Sequence, residues 1–149
     1  MPAADLIHDS VKNALIKDGW SITADPYVIE YGDVRLFADL SAERPLAAQR
    51  GQRRIVVEVK SFGGASLIHE FEQAFGQYIL YRELLSETAP EYEVFLAVED
   101  RIFNKLFQRP AVKLIVERHH VGLVVINVPQ EEVVQWIEPR ITDKSSDKS

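Results

Sequence analysis

The chain has 149 residues and a net charge of -6, with 46% hydrophobic and 27% charged residues. This length and composition are typical of one packed globular domain and exclude a fibrous or low-complexity protein. There is no cysteine, which excludes disulfides, thiolate metal sites and a cysteine nucleophile. The acidic balance argues against nonspecific coating of nucleic acid, although a local basic surface can still bind phosphate.

The N-terminal sequence has neither the basic nor the apolar segment of a secretion signal. No apolar run approaches the roughly 20 residues that a bilayer requires. We therefore predict a cytoplasmic protein without membrane association. Residues 1–139 are expected to form a single domain, and the polar residues 140–149 a C-terminal tail.

The first half of the chain predicts one helix and three strands. Residues 5–18 place apolar side chains on one face, which predicts an amphipathic helix that ends at Gly19. The segments YVIEY and VRLFADL flank Gly32-Asp33 and predict a hairpin. After a turn at residues 50–53, the β-prone segment IVVEVKSF predicts a central strand over residues 55–61.

The second half of the chain predicts helices alternating with buried strands. Ser66 is a suitable N-cap for a long helix over residues 66–87, and YEVFLAV predicts a buried parallel strand. Residues 101–119 predict a helix interrupted at Pro110, followed by strands in GLVVINV and EVVQWIE. The expected order is helix, three strands, helix, strand, helix, two strands, which is typical of an α/β domain.

The predicted central strand carries two charges. Residues i and i+2 of a strand point the same way, so Glu58 and Lys60 share one face while Val57 and Val59 share the other. Burying such charges without a partner is costly, so they require a metal ion, a salt bridge or a solvent cleft. Asp39, at the end of the hairpin, can supply a second carboxylate.

Two carboxylates are what Mg²⁺ usually takes from a protein, while water and substrate phosphate complete its coordination. The pattern therefore predicts a site for Mg²⁺ or Mn²⁺ at Asp39 and Glu58. Lys60 would orient or activate a water there and stabilise developing negative charge. The alternative is a plain salt bridge between Glu58 and Lys60, with Asp39 merely ending a strand.

Two further candidates flank this site in the sequence. Asp9 of the first helix could approach a second metal ion, or it could simply belong to a solvated turn. Arg50, Arg53 and Arg54 form a basic patch that could position phosphates, or they could form a solubilising hairpin tip. The chain has no Gly-rich phosphate loop and no G-x-S-x-G motif, so ATPase and hydrolase-triad functions are excluded.

An acidic residue on a hairpin strand, a strand ending in E-x-K and a long helix together resemble the PD-(D/E)xK nuclease superfamily. Asp39 and the triplet Glu58-Val59-Lys60 match its active-site pattern, although Ala38 stands where the name-giving motif has proline. Gln77 and Tyr81 resemble the Q-x-x-x-Y element of the RecB-like nucleases. That resemblance implies that both residues support the cleft or contact DNA; the alternative is a solvated helix face.

A resemblance over nearly the whole chain is to the XisH family of cyanobacterial proteins. The segments HDSVKNALIKDGW, DVRLFADLSAERPLAAQRG, IVVEVKSF, FEQAFGQYILYRELL and VVQWI carry it. The resemblance implies a restriction-endonuclease-like α/β fold, with a mixed central sheet flanked by helices. It also implies a controlling role in excision of the fdxN DNA element, a DNA rearrangement, with an XisI-type protein as partner.

Two functions remain open from the sequence, and a third, less favoured interpretation is a metal-free structural domain in which Asp39, Glu58 and Lys60 satisfy one another by hydrogen bonds. The chain is either a Mg²⁺-dependent endonuclease or a noncatalytic accessory protein that binds DNA or a protein partner on a nuclease-like scaffold. A small nuclease with one site commonly cuts both strands as a dimer, so a homodimer is a further expectation.

Overall fold

The computed structural model describes residues 3–46 and 51–139, with side chains from residue 7 onward. Within these ranges the chain forms helices α1 to α4 and strands β1 to β8. Their bounds are α1 Ala3–Lys17, β1 Ser21–Ala24, β2 Tyr27–Tyr31, β3 Val34–Ala38, β4 Leu40–Pro45, β5 Gln52–Val59, α2 Leu67–Thr88, β6 Tyr92–Glu99, α3 Asp100–Leu106, α4 Pro110–Arg118, β7 Leu123–Asn127 and β8 Glu132–Ile137.

A mixed sheet of six strands forms the centre of the fold, in the order β1-β4-β5-β6-β7-β8. The strands β5, β6 and β7 run parallel, and the outer strands on both sides pair antiparallel. The predicted hairpin is confirmed as β2 and β3, which form a separate two-stranded sheet. The fold is thus a mixed α/β architecture, and the parallel β5–α2–β6 unit is confirmed.

Each face of the central sheet is covered by its own hydrophobic core. One core contains Val11 and Leu15 of α1 together with Ile55 and Val57 of β5. The other contains Val56 of β5, the buried face of α2, parts of α3 and α4, and the inner side of the hairpin. This alternation along β5 puts position 58 on the face that α2 covers, as the period-2 pattern predicts.

The structure differs from the expected element order at two places. The predicted strand VRLFADL is broken at Asp39, because β3 ends at Ala38 in the small sheet and β4 begins at Leu40 in the large one. The short strand β1 and the strand β4 were not predicted as separate elements. Within β4, Leu40, Ser41 and Ala42 are all buried, so the segment lacks the alternation of buried and exposed residues that marks a half-exposed strand.

The helices agree more closely with the sequence. The predicted long helix is α2, and its N-cap is confirmed because the Ser66 hydroxyl oxygen accepts a hydrogen bond from the His69 amide at 3.2 Å. The predicted interruption at Pro110 is confirmed by the separation of α3 from α4. None of the helices in the described residues is both long enough and apolar enough to cross a bilayer.

Candidate functional site

The predicted carboxylate pair meets where the chain passes from the small sheet to the large one. Asp39 is the single residue between β3 and β4, and Leu40 pairs with Val57. The register therefore brings Asp39 next to Glu58. The Asp39 amide donates a hydrogen bond to Oε1 of Glu58 at 3.2 Å, and the Val59 amide donates one to Oδ2 of Asp39 at 2.8 Å. These two contacts hold both carboxylates in fixed positions.

Glu58 is a buried acid beside another acid. Only 7% of the residue is exposed. Burial raises the pKa of Glu58 to about 7, and the negative charge of Asp39 adds to the rise while Lys60 opposes it. A carboxyl group that is costly to ionise, next to a second carboxylate, is the kind of environment that a cation would stabilise.

A cavity of about 320 Å³ opens over this pair. Lys60 extends into it, with its Nζ 3.7 Å from Oε2 of Glu58. Two ionisable residues that were not predicted also line the cavity, namely His8 of α1 and Glu70 of α2. The Glu70 carboxylate fills the space where a side chain on Gly64 would lie. Acidic and basic groups from both sides of the sheet edge therefore share one solvent-accessible cavity.

His8 is held between two carboxylates. Its Nε2 lies 3.1 Å from Oδ1 of Asp25, and its Nδ1 lies 3.8 Å from Oδ1 of Asp39. Lys12 donates a hydrogen bond to Asp25 at 2.9 Å. Burial raises the pKa of Asp25, but hydrogen bonds from Lys12 and His8 outweigh it and hold the value below the usual one. The contact with Asp25 orients the His8 ring, so that Nδ1 faces Asp39 and the cavity.

The predicted residues Gln77 and Tyr81 of α2 also lie beside the site. Tyr81 is buried, and its hydroxyl donates a hydrogen bond to the Phe37 carbonyl at 3.0 Å. Because that hydroxyl proton is used, Gln77 must donate to the same oxygen through Nε2, which lies 2.9 Å away. Burial, and next the charge of Glu58, raise the pKa of Tyr81 to about 12, so the phenol is protonated and serves as a fixed donor.

A groove of about 490 Å³ adjoins the cavity, and Lys60 lines both. Its other lining residues come from β3 and α2, and they are Leu36, Gln73, Gly76, Gln77, Leu80 and Tyr81. The polar side chains of Gln73 and Gln77, four residues apart on α2, therefore line the groove. His69, four residues before Gln73, lies outside the groove lining and has its Nδ1 3.4 Å from Glu72.

The predicted second metal residue and the basic patch lie elsewhere. Asp9 is exposed on α1 and is not among the residues that line the cavity. Arg53 and Arg54 lie at the start of β5, whereas Glu58 lies near its end. They line a different cavity of about 730 Å³. Arg53 pairs with Glu93 at 2.9 Å and Arg54 with Glu43 at 3.3 Å. Arg50 lies outside the described residues.

The donor set suits a hard cation with few protein ligands. Among the side chains that the structure describes, no group of three or more histidine or acidic residues is arranged to hold a metal ion. Mg²⁺ commonly takes only one or two carboxylates and completes its shell with water and phosphate. The adjacent Asp39 and Glu58, with an open cavity above them, fit that requirement.

Sequence reasoning missed His8 and Glu70, although the sequence holds a partial signal for Glu70. Glu70 precedes Gln77 by two helical turns, so it lies on the same line of α2 as the predicted Gln77. His8 is adjacent to the predicted Asp9, and the rotation of α1 about its axis decides which of the two side chains faces the sheet. That rotation depends on how Val11 and Leu15 pack on β5, which the sequence does not state.

A family model and two solved structures match most of the chain, and they indicate the same family. The family model described as XisH protein matches residues 1–134. A solved structure of an fdxN element excision controlling factor protein from Anabaena variabilis is 40% identical, covers 90% of this chain and 99% of its own, and has a TM-score of 0.81. An XisH family protein from Nostoc punctiforme is 39% identical, covers 90% of this chain and 100% of its own, and also has a TM-score of 0.81. No curated protein matches the chain. The chain belongs to the XisH family.

Proposed function

We propose that this protein is a metal-dependent nuclease with a restriction-endonuclease-like fold, acting as a controlling factor in the excision of a DNA element. The observation that carries the proposal is the buried Glu58, whose carboxylate accepts a hydrogen bond from the Asp39 amide and lies 3.7 Å from Nζ of Lys60. The excision role is inferred from the similarity to the Anabaena variabilis protein, which is described as an fdxN element excision controlling factor.

The arrangement supports membership of the PD-(D/E)xK superfamily. The acid comes from the strand junction before β4, the E-x-K triplet ends β5, and a long helix follows. In that superfamily pattern the carboxylates hold the metal and the lysine lies beside the attacking water. Here Lys60 reaches the same cavity as both acids, which supports that assignment.

A bound Mg²⁺ or Mn²⁺ would supply a polarised phosphate and a water of lowered pKa. Asp39 and Glu58 would hold it through their side-chain oxygens. Lys60 would orient the attacking water and stabilise charge that develops on the phosphate. Tyr81, whose hydroxyl oxygen accepts from Gln77, donates to the Phe37 carbonyl and thereby fixes the backbone that leads to Asp39.

The test is titration calorimetry with MnCl₂ and MgCl₂ together with cleavage of supercoiled plasmid. Wild type is compared with Glu58→Gln and Lys60→Gln. We expect Glu58→Gln to lose metal binding and cleavage together. Lys60→Gln is expected to keep metal binding and lose at least about a hundredfold in cleavage rate, because the lysine acts in the transition state.

Glu132→Gln is the matched control, because it removes a carboxylate at the exposed start of β8. It is expected to keep both metal binding and cleavage. Metal binding by wild type that is unchanged in Glu58→Gln would show that the metal occupies another site. A wild type that binds metal through Glu58 but cuts neither duplex nor single-stranded DNA would refute the nuclease.

The second candidate is a noncatalytic accessory protein that acts through DNA or a protein partner such as an XisI-type protein. The net charge of -6 and the pairing of Arg53 and Arg54 with glutamates favour a protein partner over tight autonomous DNA binding. This candidate predicts partner binding that survives both Glu58→Gln and Lys60→Gln. The predicted homodimer belongs to either candidate, and sedimentation equilibrium tests it.

A further inference from the structure

We propose that the groove beside the carboxylate site receives an unpaired nucleotide, and that Gly76 is the residue that keeps room for it. The inference rests on the proposed function, because it takes nucleic acid as the substrate. It concerns which form of nucleic acid the site accepts. Lys60 lines both the cavity and the groove, so the two spaces adjoin at its side chain.

The groove has the chemistry of a base-binding site. Its volume of about 490 Å³ falls within the range of about 300–1,000 Å³ that is typical of small-ligand sites. Leu36 and Leu80 provide apolar surface, and Leu80 is 45% exposed. The amide of Gln73 can hydrogen-bond to the edge of a base. Unstacked bases are recognised by such packing and edge contacts.

The same lining is poorly suited to a duplex backbone. Duplex binding relies on several cations that neutralise successive phosphates. Among the described residues, Lys60 is the only charged residue that lines the groove. It lies at the end that adjoins Asp39 and Glu58. A base in the groove would therefore place its neighbouring phosphate at Lys60, next to the carboxylates.

Gly76 is the residue that no contact within the protein explains. It lies inside the 22-residue helix α2, where glycine is less favourable than alanine by about 1 kcal/mol. Its backbone is not among the positive-φ positions, so its conformation does not require glycine. Outside its chain neighbours and the adjoining backbone of α2, a Cβ on Gly76 would meet no described atom within 4 Å. The space over Gly76 is therefore open, and a ligand in the groove can approach the helix backbone closely there.

The test uses Gly76→Ala and Gly76→Gln, which place increasing bulk in the groove while favouring the helix. Binding of a fluorescein-labelled 12-nucleotide single-stranded DNA and of the matching duplex is measured by anisotropy in EDTA, which prevents cleavage. We expect both variants to melt about 2–4 °C higher than wild type. Affinity for the single strand should fall about threefold for alanine and at least tenfold for glutamine, while duplex affinity changes less than twofold.

Ser86→Gln, at an exposed position of α2 outside the groove, is the control for added bulk and should bind as wild type does. Unchanged single-strand affinity in both Gly76 variants, or equal losses for single strand and duplex, would overturn the inference. So would a wild type that binds no single strand. Cleavage by wild type that Gly76→Gln does not slow would overturn the inference and leave the nuclease standing. Binding that depends on Gly76 without any cleavage would support the inference and refute the nuclease.

Discussion

The hydroxyl of Tyr81 donates a hydrogen bond to the backbone carbonyl of Phe37, 3.0 Å away. This contact ties α2 to the strand that ends one residue before Asp39. A helix from one part of the sequence thereby fixes the backbone that carries a carboxylate from another. Tyr81 thus acts on the site through Asp39, as a positioning residue.

Tyr81→Phe should destabilise the fold and loosen the site. The change leaves the Phe37 carbonyl without its donor and Gln77 without its acceptor, which costs about 1–3 kcal/mol. Urea denaturation measures that loss, and calorimetry should show weaker Mn²⁺ binding. Tyr31→Phe is the control, because Tyr31 is 50% exposed. The free energy of unfolding of this variant should differ from that of wild type by less than about 0.5 kcal/mol. Equal stability of the two variants would contradict a structural role for the hydroxyl.

Glu58 should make the protein less stable as the pH rises. Its pKa is raised from 4.5 to about 7 in the folded state. The folded protein therefore holds a proton that the unfolded chain has lost between these values, and the free energy of unfolding falls across that interval. Without a metal ion, the loss is on the order of 3 kcal/mol above pH 7.

Glu58→Gln lacks this titrating carboxyl group, so a comparison with wild type separates the effect of Glu58 from that of all other groups. The difference in free energy of unfolding between variant and wild type should grow in favour of the variant from about pH 4.5 to pH 7. Urea denaturation at a series of pH values measures it. A difference that is constant with pH would show that Glu58 titrates normally.

Asp25→Asn should weaken metal binding although Asp25 lies outside the cavity lining. The carboxylate of Asp25 orients His8, whose Nδ1 lies 3.8 Å from Asp39. His8 would be an outer partner of the metal-binding Asp39, and loss of such a partner typically costs about tenfold in metal affinity. Lys12→Gln is the comparison, since it removes the other partner of Asp25 and keeps the contact between Asp25 and His8. Equal Mn²⁺ affinities in the two variants would show that His8 takes no part in the site.

Gly122→Ala should destabilise the fold, in contrast to Gly76→Ala. A Cβ at position 122 would lie 2.7 Å from the carbonyl oxygen of Val94 and 3.1 Å from Cδ2 of Phe95. Overpacking of this kind costs about 1–3 kcal/mol. Thermal unfolding should therefore show a lower Tm for Gly122→Ala and a higher one for Gly76→Ala. Two shifts of the same sign would contradict the packing described here.

Much of the fold follows from local patterns in the sequence. The hairpin follows from the turn at Gly32, and α2 follows from Ser66 and its helical spacing. The face of Glu58 follows from the period of a strand. These features depend on neighbouring residues, so a single sequence suffices to predict them.

The break at Asp39 and the roles of His8 and Glu70 do not follow in the same way. The chain changes sheets at Asp39 because β4 pairs with both β1 and β5, which are distant from one another in sequence. His8 reaches the cavity because α1 packs on the face opposite α2. Such features depend on tertiary packing, which overrides local preference.

The register between β4 and β5, in which Leu40 pairs with Val57, decides whether a folded molecule contains the carboxylate pair. A slip of one residue would turn Glu58 and Lys60 towards the core beneath α1 and place Val57 and Val59 at the cavity. Such molecules would retain the circular dichroism of a mixed α/β protein while lacking the carboxylate pair. Under the proposed function, the molar ratio of bound Mn²⁺ to protein would then count the correctly paired fraction in a refolded preparation.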